Sequence, residues 1–259
     1  MRIPRHPIQS ALGRAGMSIE HHPDPRRLER THPDLAIEPD FVRNVQLVFP
    51  FTMTTIERLY ALYSATRHVV SHSVPGAFVE CGVWRGGSAM LMAQTLADLG
   101  ADREIWLYDT FEGMTEPTAQ DSGHGEPDLL DKWSSIRGDI ANPVFAYAAL
   151  DDVQRNLART RFPPERISYC KGPVEETIPE HSPDLIALLR LDTDWYASTR
   201  HELEHLYPRL APGGILIIDD YGYWDGARRA VDEWLATFET PPLMHRIDQT
   251  GRMITKPAA

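Results

Sequence analysis

The chain has few of the features that mark secreted, membrane-bound or nucleic-acid-binding proteins. Only two cysteines, Cys81 and Cys170, occur among its 259 residues, too few for a disulfide framework. No apolar run is long enough for a signal-peptide core or a membrane span. Acids outnumber bases by 37 to 26, and the net charge of −11 repels phosphate backbones and anionic lipid surfaces. Both cysteines fall within predicted buried strands. We therefore expect a cytoplasmic protein with two free thiols in its core that binds neither nucleic acid nor membranes.

Length and composition predict one α/β domain with added segments. The chain is 42% hydrophobic and 24% charged, which allows a sizeable core. We interpret the polar residues 1–45 as an N-terminal arm that is partly flexible or that contributes to a lid or to contacts between subunits. Residues 46–259 form the predicted domain. Within it, the long polar insertion 111–144 is typical of a lid.

Short apolar runs alternate with segments of helical periodicity. The predicted strands are 77–83, 104–109, 167–171, 185–192, 215–220, 244–247 and 252–255. The predicted helices are 52–72, with Thr52 or Thr54 as its N-cap, 88–99, 145–158, 199–210 and 227–238. This alternation predicts an α/β fold: a doubly wound, mostly parallel seven-stranded sheet, Rossmann-like, with a C-terminal antiparallel hairpin.

A glycine-rich turn follows the first predicted strand. Gly82, Gly86 and Gly87 allow a ligand to approach the backbone closely, as a nucleoside cofactor requires. Three residues separate Gly82 from Gly86, which departs from the dinucleotide pattern G-x-G-x-x-G and favours a nucleoside that carries an amino acid. At successive strand ends, Glu80 can neutralise an ammonium group and Asp109 can bind ribose hydroxyls. The alternative is that each carboxylate only caps a helix.

Acidic pairs end two later strands. Asp192 and Asp194 follow one apolar strand, and Asp219 and Asp220 follow the next. Because parallel strands end at one edge of a sheet, these side chains should crowd together, with Arg190 the only basic residue near them. Crowded carboxylates favour a bound cation, and oxygen ligands without cysteine or histidine select Mg²⁺, Mn²⁺ or Ca²⁺ over zinc. The alternative is that the acids are caps or turn residues, or pair with Arg190.

Candidates for proton transfer and for acceptor binding lie near the same edge. Asp192 is the first candidate for the general base, because it could accept a proton while it contacts the cation. His245 is the second, since an unperturbed histidine titrates near neutral pH, although a single histidine in a strand is more often structural. Tyr221, Tyr223 and Trp224, together with His245, are candidates for the acceptor pocket. Alternatively, the aromatic residues pack on the neighbouring helix.

Seven motifs occur in order between about Phe49 and Thr255. They are 50–54 (Pro-Phe-Thr-Met-Thr), 78–88 (Phe-Val-Glu-Cys-Gly-Val-Trp-Arg-Gly-Gly-Ser), 109–113 (Asp-Thr-Phe-Glu-Gly), 192–196 (Asp-Thr-Asp-Trp-Tyr), 207–214 (Tyr-Pro-Arg-Leu-Ala-Pro-Gly-Gly), 219–221 (Asp-Asp-Tyr) and 245–248 (His-Arg-Ile-Asp). With them the chain resembles the macrocin O-methyltransferase family, enzymes of antibiotic biosynthesis with the class I methyltransferase fold. The resemblance leaves the N-terminal arm uncovered.

The resemblance implies S-adenosylmethionine as the cofactor. Glu80 and Gly82 would lie near its methionine part and Asp109 on its ribose, while Met53 and Thr54 would help to close the pocket. The full set of implied cofactor contacts is Met53, Thr54, Glu80, Gly82, Trp84, Gly86, Ser88, Asp109, Thr110, Lys171, Gly172 and Asp192, with Lys171 and Gly172 near the adenine.

The resemblance also implies that Asp192, Asp219 and Asp220 are ligands of the divalent cation. Metal-dependent catechol methyltransferases, a related group, have a lysine three residues after the aspartate that corresponds to Asp192, where this chain has Trp195. That difference favours an alcohol hydroxyl, as on a deoxysugar. Related enzymes commonly assemble as dimers or larger oligomers, so we expect a homo-oligomer.

The leading hypothesis is a Mg²⁺-dependent S-adenosylmethionine O-methyltransferase that acts on a hydroxyl of a sugar moiety or another small natural product. A phenolic, catechol-like acceptor is the alternative within that class. A nicotinamide-dependent oxidoreductase shares the strand, glycine turn and helix but requires a different glycine spacing. A non-catalytic nucleotide-binding protein would leave the paired acids unexplained.

Overall fold

The computed structural model describes residues 28–121 and 128–258, and seven apolar segments in these ranges form the strands of one sheet. The strands are β1 (Ala77–Cys81), β2 (Ile105–Asp109), β3 (Ile167–Lys171), β4 (Ile186–Leu191), β5 (Leu210–Ile218), β6 (Met244–Arg246) and β7 (Arg252–Thr255). Their order across the sheet is β3-β2-β1-β4-β5-β7-β6. The chain thus winds outwards from β1 in both directions.

Most neighbouring strands are parallel. β1 pairs in parallel with β2 and β4, as do β2 with β3 and β4 with β5, whereas β7 runs antiparallel to both β5 and β6. Every residue of β1 and β4 is buried, because helices cover both faces of the central strands. The predicted doubly wound α/β fold with a C-terminal antiparallel hairpin is therefore confirmed.

Helices precede, connect and cover the strands. They are α1 (Leu28–Thr31), α2 (Pro33–Ala36), α3 (Pro39–Val48), α4 (Ile56–Ser71), α5 (Gly87–Asp98), α6 (Leu129–Ile136), α7 (Leu150–Leu157), α8 (Val174–Thr177), α9 (Tyr196–Leu206) and α10 (Asp225–Leu235). Within 28–121 and 128–258, none of these helices combines the length and the apolar character that a membrane span requires.

Alternate residues of the central strands point into two different cores. Phe78 of β1 packs with α3, α4 and α5, whereas its neighbours Val79 and Cys81 pack with α9 and α10. Both cysteines are free, as expected; Cys81 is buried, but Cys170 is only half-buried. The prediction of two core thiols is therefore wrong for Cys170, because β3 is an edge strand.

Several predicted helix boundaries are wrong for local reasons. α4 begins at Ile56 because Thr55 is its N-cap, and not Thr52 or Thr54. The Thr55 hydroxyl oxygen accepts a hydrogen bond from the Arg58 amide at 3.2 Å. Such a bond satisfies one of the amides that have no partner within the helix.

The predicted helices 145–158 and 199–210 are also displaced. Ala146 adopts a φ of +47°, which prevents a helix from passing through this position, so α7 starts only at Leu150. α9 is followed by a short turn that contains Pro208, and β5 begins at Leu210, earlier than predicted. The register of β4 with β5 shifts after Ile186, which accommodates the extra length.

The part of the predicted N-terminal arm that is described packs on the domain. α3 buries Phe41, Val45 and Val48 completely, and Leu28 at the start of α1 is also buried. The predicted boundary after residue 45 therefore falls within a helix of the core. Residues 1–27 of the predicted arm lie outside the described residues.

An aromatic cluster attaches the predicted lid to the domain. α6 lies within this segment and packs Trp133 edge-on against Trp195, which also contacts Trp224 at 5.1 Å between ring centroids. The Trp195 indole N–H donates to the Thr115 carbonyl oxygen at 3.0 Å. Residues 122–127 of the predicted lid lie outside the described residues.

The carboxyl ends of β1 and β4 approach so closely that only glycine fits at position 82. Gly82 has φ +81°, and a Cβ there would lie 2.0 Å from the Asp192 carbonyl oxygen; at Gly100, φ is +61° but a Cβ would meet nothing within 4 Å. We expect Gly82→Ala to lower the free energy of unfolding by at least about 3 kcal/mol. Gly100→Ala should lower it by about 1 kcal/mol. Urea denaturation measures both, and equal losses would contradict the steric argument.

Candidate active site

The turn after β1 places the start of α5 beside a cavity. Gly86 precedes the helix with φ +85°, and Trp84 also has a positive φ of +47°. A Cβ on Gly87 would lie 2.5 Å from the Phe51 carbonyl oxygen, so the segment before α4 lies directly against the helix start. Gly87 and Ser88 line the cavity. The positive end of the α5 dipole therefore borders it.

Asp109 joins this turn to the end of β2. Its Oδ2 accepts hydrogen bonds from the amides of Val83 at 2.7 Å and Trp84 at 3.1 Å, and its Oδ1 accepts one from the Phe111 amide at 2.7 Å. Burial raises the pKa of Asp109 above its ordinary value, although the amide bonds oppose the shift. This carboxylate therefore holds two loops together. Its contact with a ribose stays a prediction.

Two neighbouring cavities lie at the carboxyl edge of the sheet. The first, the turn cavity, has a volume of about 120 Å³, and its lining includes Met53, Gly82, Trp84, Asp109, Thr110, Gly172, Asp192 and Asp194. The second, the acid cavity, has a volume of about 650 Å³, and its lining includes Met53, Thr54, Arg58, Trp84, Ser88, Asp192, Asp194, Asp219, Asp220, Tyr223 and Trp224. Because they share walls, ligands in the two cavities would be neighbours.

Three carboxylates meet where the cavities join. One oxygen from each of Asp192, Asp194 and Asp220 lies within 4.8 Å of the others, and we call these residues the acid centre. Burial, together with the neighbouring carboxylates, raises the pKa of Asp194 to about 7 and raises the pKa values of Asp192 and Asp220 well above the ordinary value. Oδ2 of Asp220 is buried and has no hydrogen-bond partner among the described residues. The acid centre thus has an excess of negative charge and an unused oxygen.

Two arginines neutralise part of this charge. Nη1 of Arg190 donates to Glu80 Oε1 at 2.6 Å and pairs with Asp192 Oδ2 at 2.7 Å, and its Nη2 donates to Asp219 Oδ1 at 2.5 Å. Arg58 of α4 donates to the other oxygen, Asp219 Oδ2. The prediction that Arg190 is the only basic residue near these acids is therefore wrong, because α4 brings Arg58 from a distant part of the sequence.

Glu80 lies at the buried end of this network. Its side chain is 1% exposed; Oε1 binds Arg190, whereas Oε2 has no partner among the described residues. Burial raises the pKa of Glu80 to about 8, although the charge of Arg190 opposes the shift. An unsatisfied carboxyl oxygen next to the glycine-rich turn is chemically suited to an ammonium group.

Five of the predicted site residues line neither cavity: Glu80, Gly86, Lys171, Tyr221 and His245. His245 is exposed on β6. Tyr221 packs on α10, where its hydroxyl donates to Asp232 at 2.8 Å. Lys171 forms an exposed ion pair with Glu112 at 2.7 Å. These contacts account for the side chains of Tyr221 and Lys171 without a ligand.

The C-terminal hairpin contributes residues to the acid cavity that were not predicted. They are Ile247, Asp248, Gln249 and Thr250, in the turn between β6 and β7. The predicted hairpin of strands 244–247 and 252–255 implied that the chain bends between them. It gave no indication of where the bend lies, because β6 and β7 reach the site only through their pairing with β5.

The fold is that of a class I methyltransferase, the S-adenosylmethionine-dependent type. The family model of the macrocin-O-methyltransferases (TylF) matches residues 43–256. The chain belongs to this family of sugar and natural-product O-methyltransferases, as the sequence motifs had indicated.

Individual relatives agree with this assignment. The chain is 34% identical over 229 residues to the 8-demethyl-8-(2,3-dimethoxy-alpha-L-rhamnosyl)-tetracenomycin-C 4'-O-methyltransferase of Streptomyces olivaceus, covering 88% of this chain and 78% of that protein. It is 34% identical over 201 residues to the demethyldecarbamoylnovobiocin O-methyltransferase of Streptomyces niveus, covering 77% and 73%. The solved structure of the O-methyltransferase NovP matches with a TM-score of 0.69 and 31% identity, covering 80% of this chain and 83% of that chain.

The raised pKa of Glu80 predicts how stability depends on pH. The folded chain holds a proton on Glu80 up to about pH 8, whereas the unfolded chain releases it near the ordinary value of 4.5. The free energy of unfolding should therefore fall as pH rises through this window and level off above it. Urea denaturation in EDTA measures this fall. It should be smaller in Glu80→Gln, which has no such proton, and unchanged in Glu239→Gln, whose side chain is exposed. An equally steep fall in Glu80→Gln would refute the assignment.

Proposed function

We propose that this enzyme transfers a methyl group from S-adenosylmethionine to a hydroxyl of a sugar moiety or another small natural product, with a divalent cation at the acid centre. The observation that carries the proposal is the shared wall of the two cavities, since Asp192 and Asp194 line both. A donor in the turn cavity would lie next to an acceptor in the acid cavity. In-line transfer between bound reactants requires this arrangement.

The lining of the turn cavity has the chemistry that the predicted cofactor requires, although its volume of about 120 Å³ holds only part of S-adenosylmethionine. Gly82 and Gly172 leave its walls open to close approach, and Asp109 lies at the strand end where ribose hydroxyls bind in related folds. The free Oε2 of Glu80 supports its predicted contact with the methionine ammonium group. The sulfonium of S-adenosylmethionine supplies the leaving group, so the chain has only to position the two reactants.

The residues of the acid centre fit a hard divalent cation. Carboxylate oxygens without cysteine or histidine select Mg²⁺, Mn²⁺ or Ca²⁺, and the buried Oδ2 of Asp220 has no other described partner. We propose Asp192, Asp219 and Asp220 as the ligands, with Asp194 adding negative charge beside them. Both oxygens of Asp219 bind arginines, but each keeps a further lone pair. A cation held there lowers the pKa of a hydroxyl that contacts it.

Asp192 is the proposed general base. It lines both cavities, so it lies where an acceptor hydroxyl would meet the donor. Burial and the neighbouring carboxylates raise its pKa, which makes it a stronger base than an ordinary aspartate. His245, the other candidate, is exposed on β6 and would have to act from outside the acid cavity.

The surroundings of the acid centre and the relatives support a sugar hydroxyl as the acceptor. The names of the two relatives describe a rhamnosyl tetracenomycin and a novobiocin precursor. Trp195 occupies the position of the lysine of metal-dependent catechol methyltransferases, and it is buried in the cluster with Trp133 and Trp224. A phenol would therefore find no lysine there. Tyr223 and Trp224 are proposed to contact the acceptor.

Removing divalent cations tests the role of the acid centre. We expect methyl transfer from S-adenosylmethionine to a trial set of glycosides and phenols, followed by mass spectrometry, to stop in EDTA and to return on addition of Mg²⁺. The binding of S-adenosylmethionine to the turn cavity should persist in EDTA. Undiminished turnover in the chelator would remove the cation from the proposal.

Substitutions at the acids test the proposed ligands. Asp219→Ala should lower kcat at least about 100-fold while calorimetry shows S-adenosylmethionine affinity within about threefold of wild type, because Asp219 does not line the turn cavity. Asp219→Asn keeps a hydrogen-bonding partner for the arginines and controls for misfolding. Asp184→Ala, at a fully exposed site, should change neither value. Loss of cofactor binding in Asp219→Asn would contradict the proposed division between the cavities.

A further inference from the structure

A line of ion pairs leads from Asp219, at the end of β5, to the C-terminal hairpin, and Arg58 is its middle member. Nη1 of Arg58 donates to Asp219 Oδ2, and its Nε lies 3.1 Å from Asp248 Oδ2. The Arg58 side chain is only 13% exposed. One buried guanidinium therefore joins the end of β5 to the turn between β6 and β7.

Asp248 in turn fixes the shape of that turn. Its Oδ1 accepts hydrogen bonds from the amides of Thr250 at 2.9 Å and Gly251 at 2.6 Å, and its Oδ2 accepts one from the Thr55 hydroxyl at 2.7 Å. Both oxygens of this carboxylate are thus occupied, one by the turn and the other by the start of α4. The position of the turn depends on where α4 holds Asp248.

Two sides of the same turn pack tightly against neighbouring parts of the chain. A Cβ on Gly251 would lie 2.9 Å from Cγ and Cδ of Arg58, and a Cβ on Gly222, in the loop after β5, would lie 2.1 Å from the Gln249 carbonyl oxygen. The Gly222 amide donates to the Thr250 carbonyl at 3.0 Å. Because Gln249 and Thr250 line the acid cavity, any displacement of the turn would change the shape of this cavity.

The charge arrangement explains why an arginine stands at position 58. A buried guanidinium can donate to two carboxylates in different directions through its rigid fork, whereas a lysine ammonium acts as a single point charge. Removal of the guanidinium would leave the buried carboxylates of Asp219 and Asp248 without this partner, which is costly in a poorly solvated site.

We propose that Arg58 is a positioning residue that holds the turn 248–251, one wall of the acid cavity, in a fixed place relative to Asp219. Arg58 acts through Asp248 on the turn. It acts on the acid centre through Asp219, which shares Arg190 with Asp192. The consequence for catalysis, correct seating of the acceptor, rests on the proposed function of this cavity.

The experiment compares Arg58→Met, Arg58→Lys and Asp248→Asn with wild type and with Arg67→Met. Arg67 lies on the same helix, is half exposed and pairs with Glu38 at 3.2 Å, so it controls for the loss of a helix arginine. Hydrogen–deuterium exchange of the peptide that covers 246–252 is measured in EDTA without cofactor or acceptor. We expect exchange in this peptide to rise at least about 10-fold in Arg58→Met and Asp248→Asn, less in Arg58→Lys, and not in Arg67→Met.

Kinetics and calorimetry provide the second measurement. Arg58→Met should raise the KM for the acceptor at least about 10-fold and leave the Kd of S-adenosylmethionine within about twofold of wild type, since Arg58 does not line the turn cavity. The double variant of Arg58→Met and Asp248→Asn should resemble Arg58→Met alone, because both changes remove the same ion pair between Arg58 and Asp248. If Arg58→Met does not fold, Arg58→Lys and Asp248→Asn carry the comparison.

The outcomes separate this proposal from the proposed function. Unchanged exchange at 246–252 in Arg58→Met, or multiplied effects in the double variant, would overturn the role of Arg58. Raised exchange in a protein that methylates none of the trial acceptors would support the role of Arg58 and count against the proposed function.

Discussion

The burial of several carboxylates at one edge of the sheet is the constraint on which the rest of the site depends. Asp192, Asp194, Asp219 and Asp220 follow two adjacent parallel strands, so the fold itself forces them together. Water stabilises them poorly there, and their mutual repulsion favours proton uptake or a bound cation. The same repulsion that raises the pKa values at the acid centre therefore also favours the binding of a cation there. Any ligand of this cavity has to meet that demand.

The topology brings the turn cavity and the acid cavity, the two proposed reactant sites, together at the point where the strand order reverses. β1 and β4 are neighbours at the centre of the sheet. The loops that follow these two strands separate after the point where Gly82 lies against the Asp192 backbone. The turn cavity opens on the side of β1 and β2, and the acid cavity on the side of β4 and β5. Asp192 borders both because it lies at this switch point. The proximity of the proposed donor and acceptor sites is thus a property of the sheet and requires no movement of its strands.

The fold and the acids could be predicted from local patterns, but the arginine pairing could not. Apolar runs locate the strands, and parallel strands imply that Asp192 and Asp220 share an edge. Arg58 follows the N-cap of an amphipathic helix by three positions, where a charged residue ordinarily faces solvent. Its partners Asp219 and Asp248 lie far away in the sequence, so only the packing of α4 against the end of the sheet reveals the contact.

For His245 the error is of the opposite kind: a residue that was predicted to belong to the site lies outside it. The sequence predicts the strand and its place near the acidic edge of the sheet, but the direction of one side chain on a three-residue edge strand depends on its register. In the structure His245 is opposite Met253 and exposed, while the neighbouring turn reaches the cavity. Trp195 bears on the same question. It stands at the sequence position where the catechol enzymes have a lysine, and its indole lies in the aromatic cluster that anchors the predicted lid. With the histidine outside and no lysine at that position, the proposed proton transfer falls to Asp192.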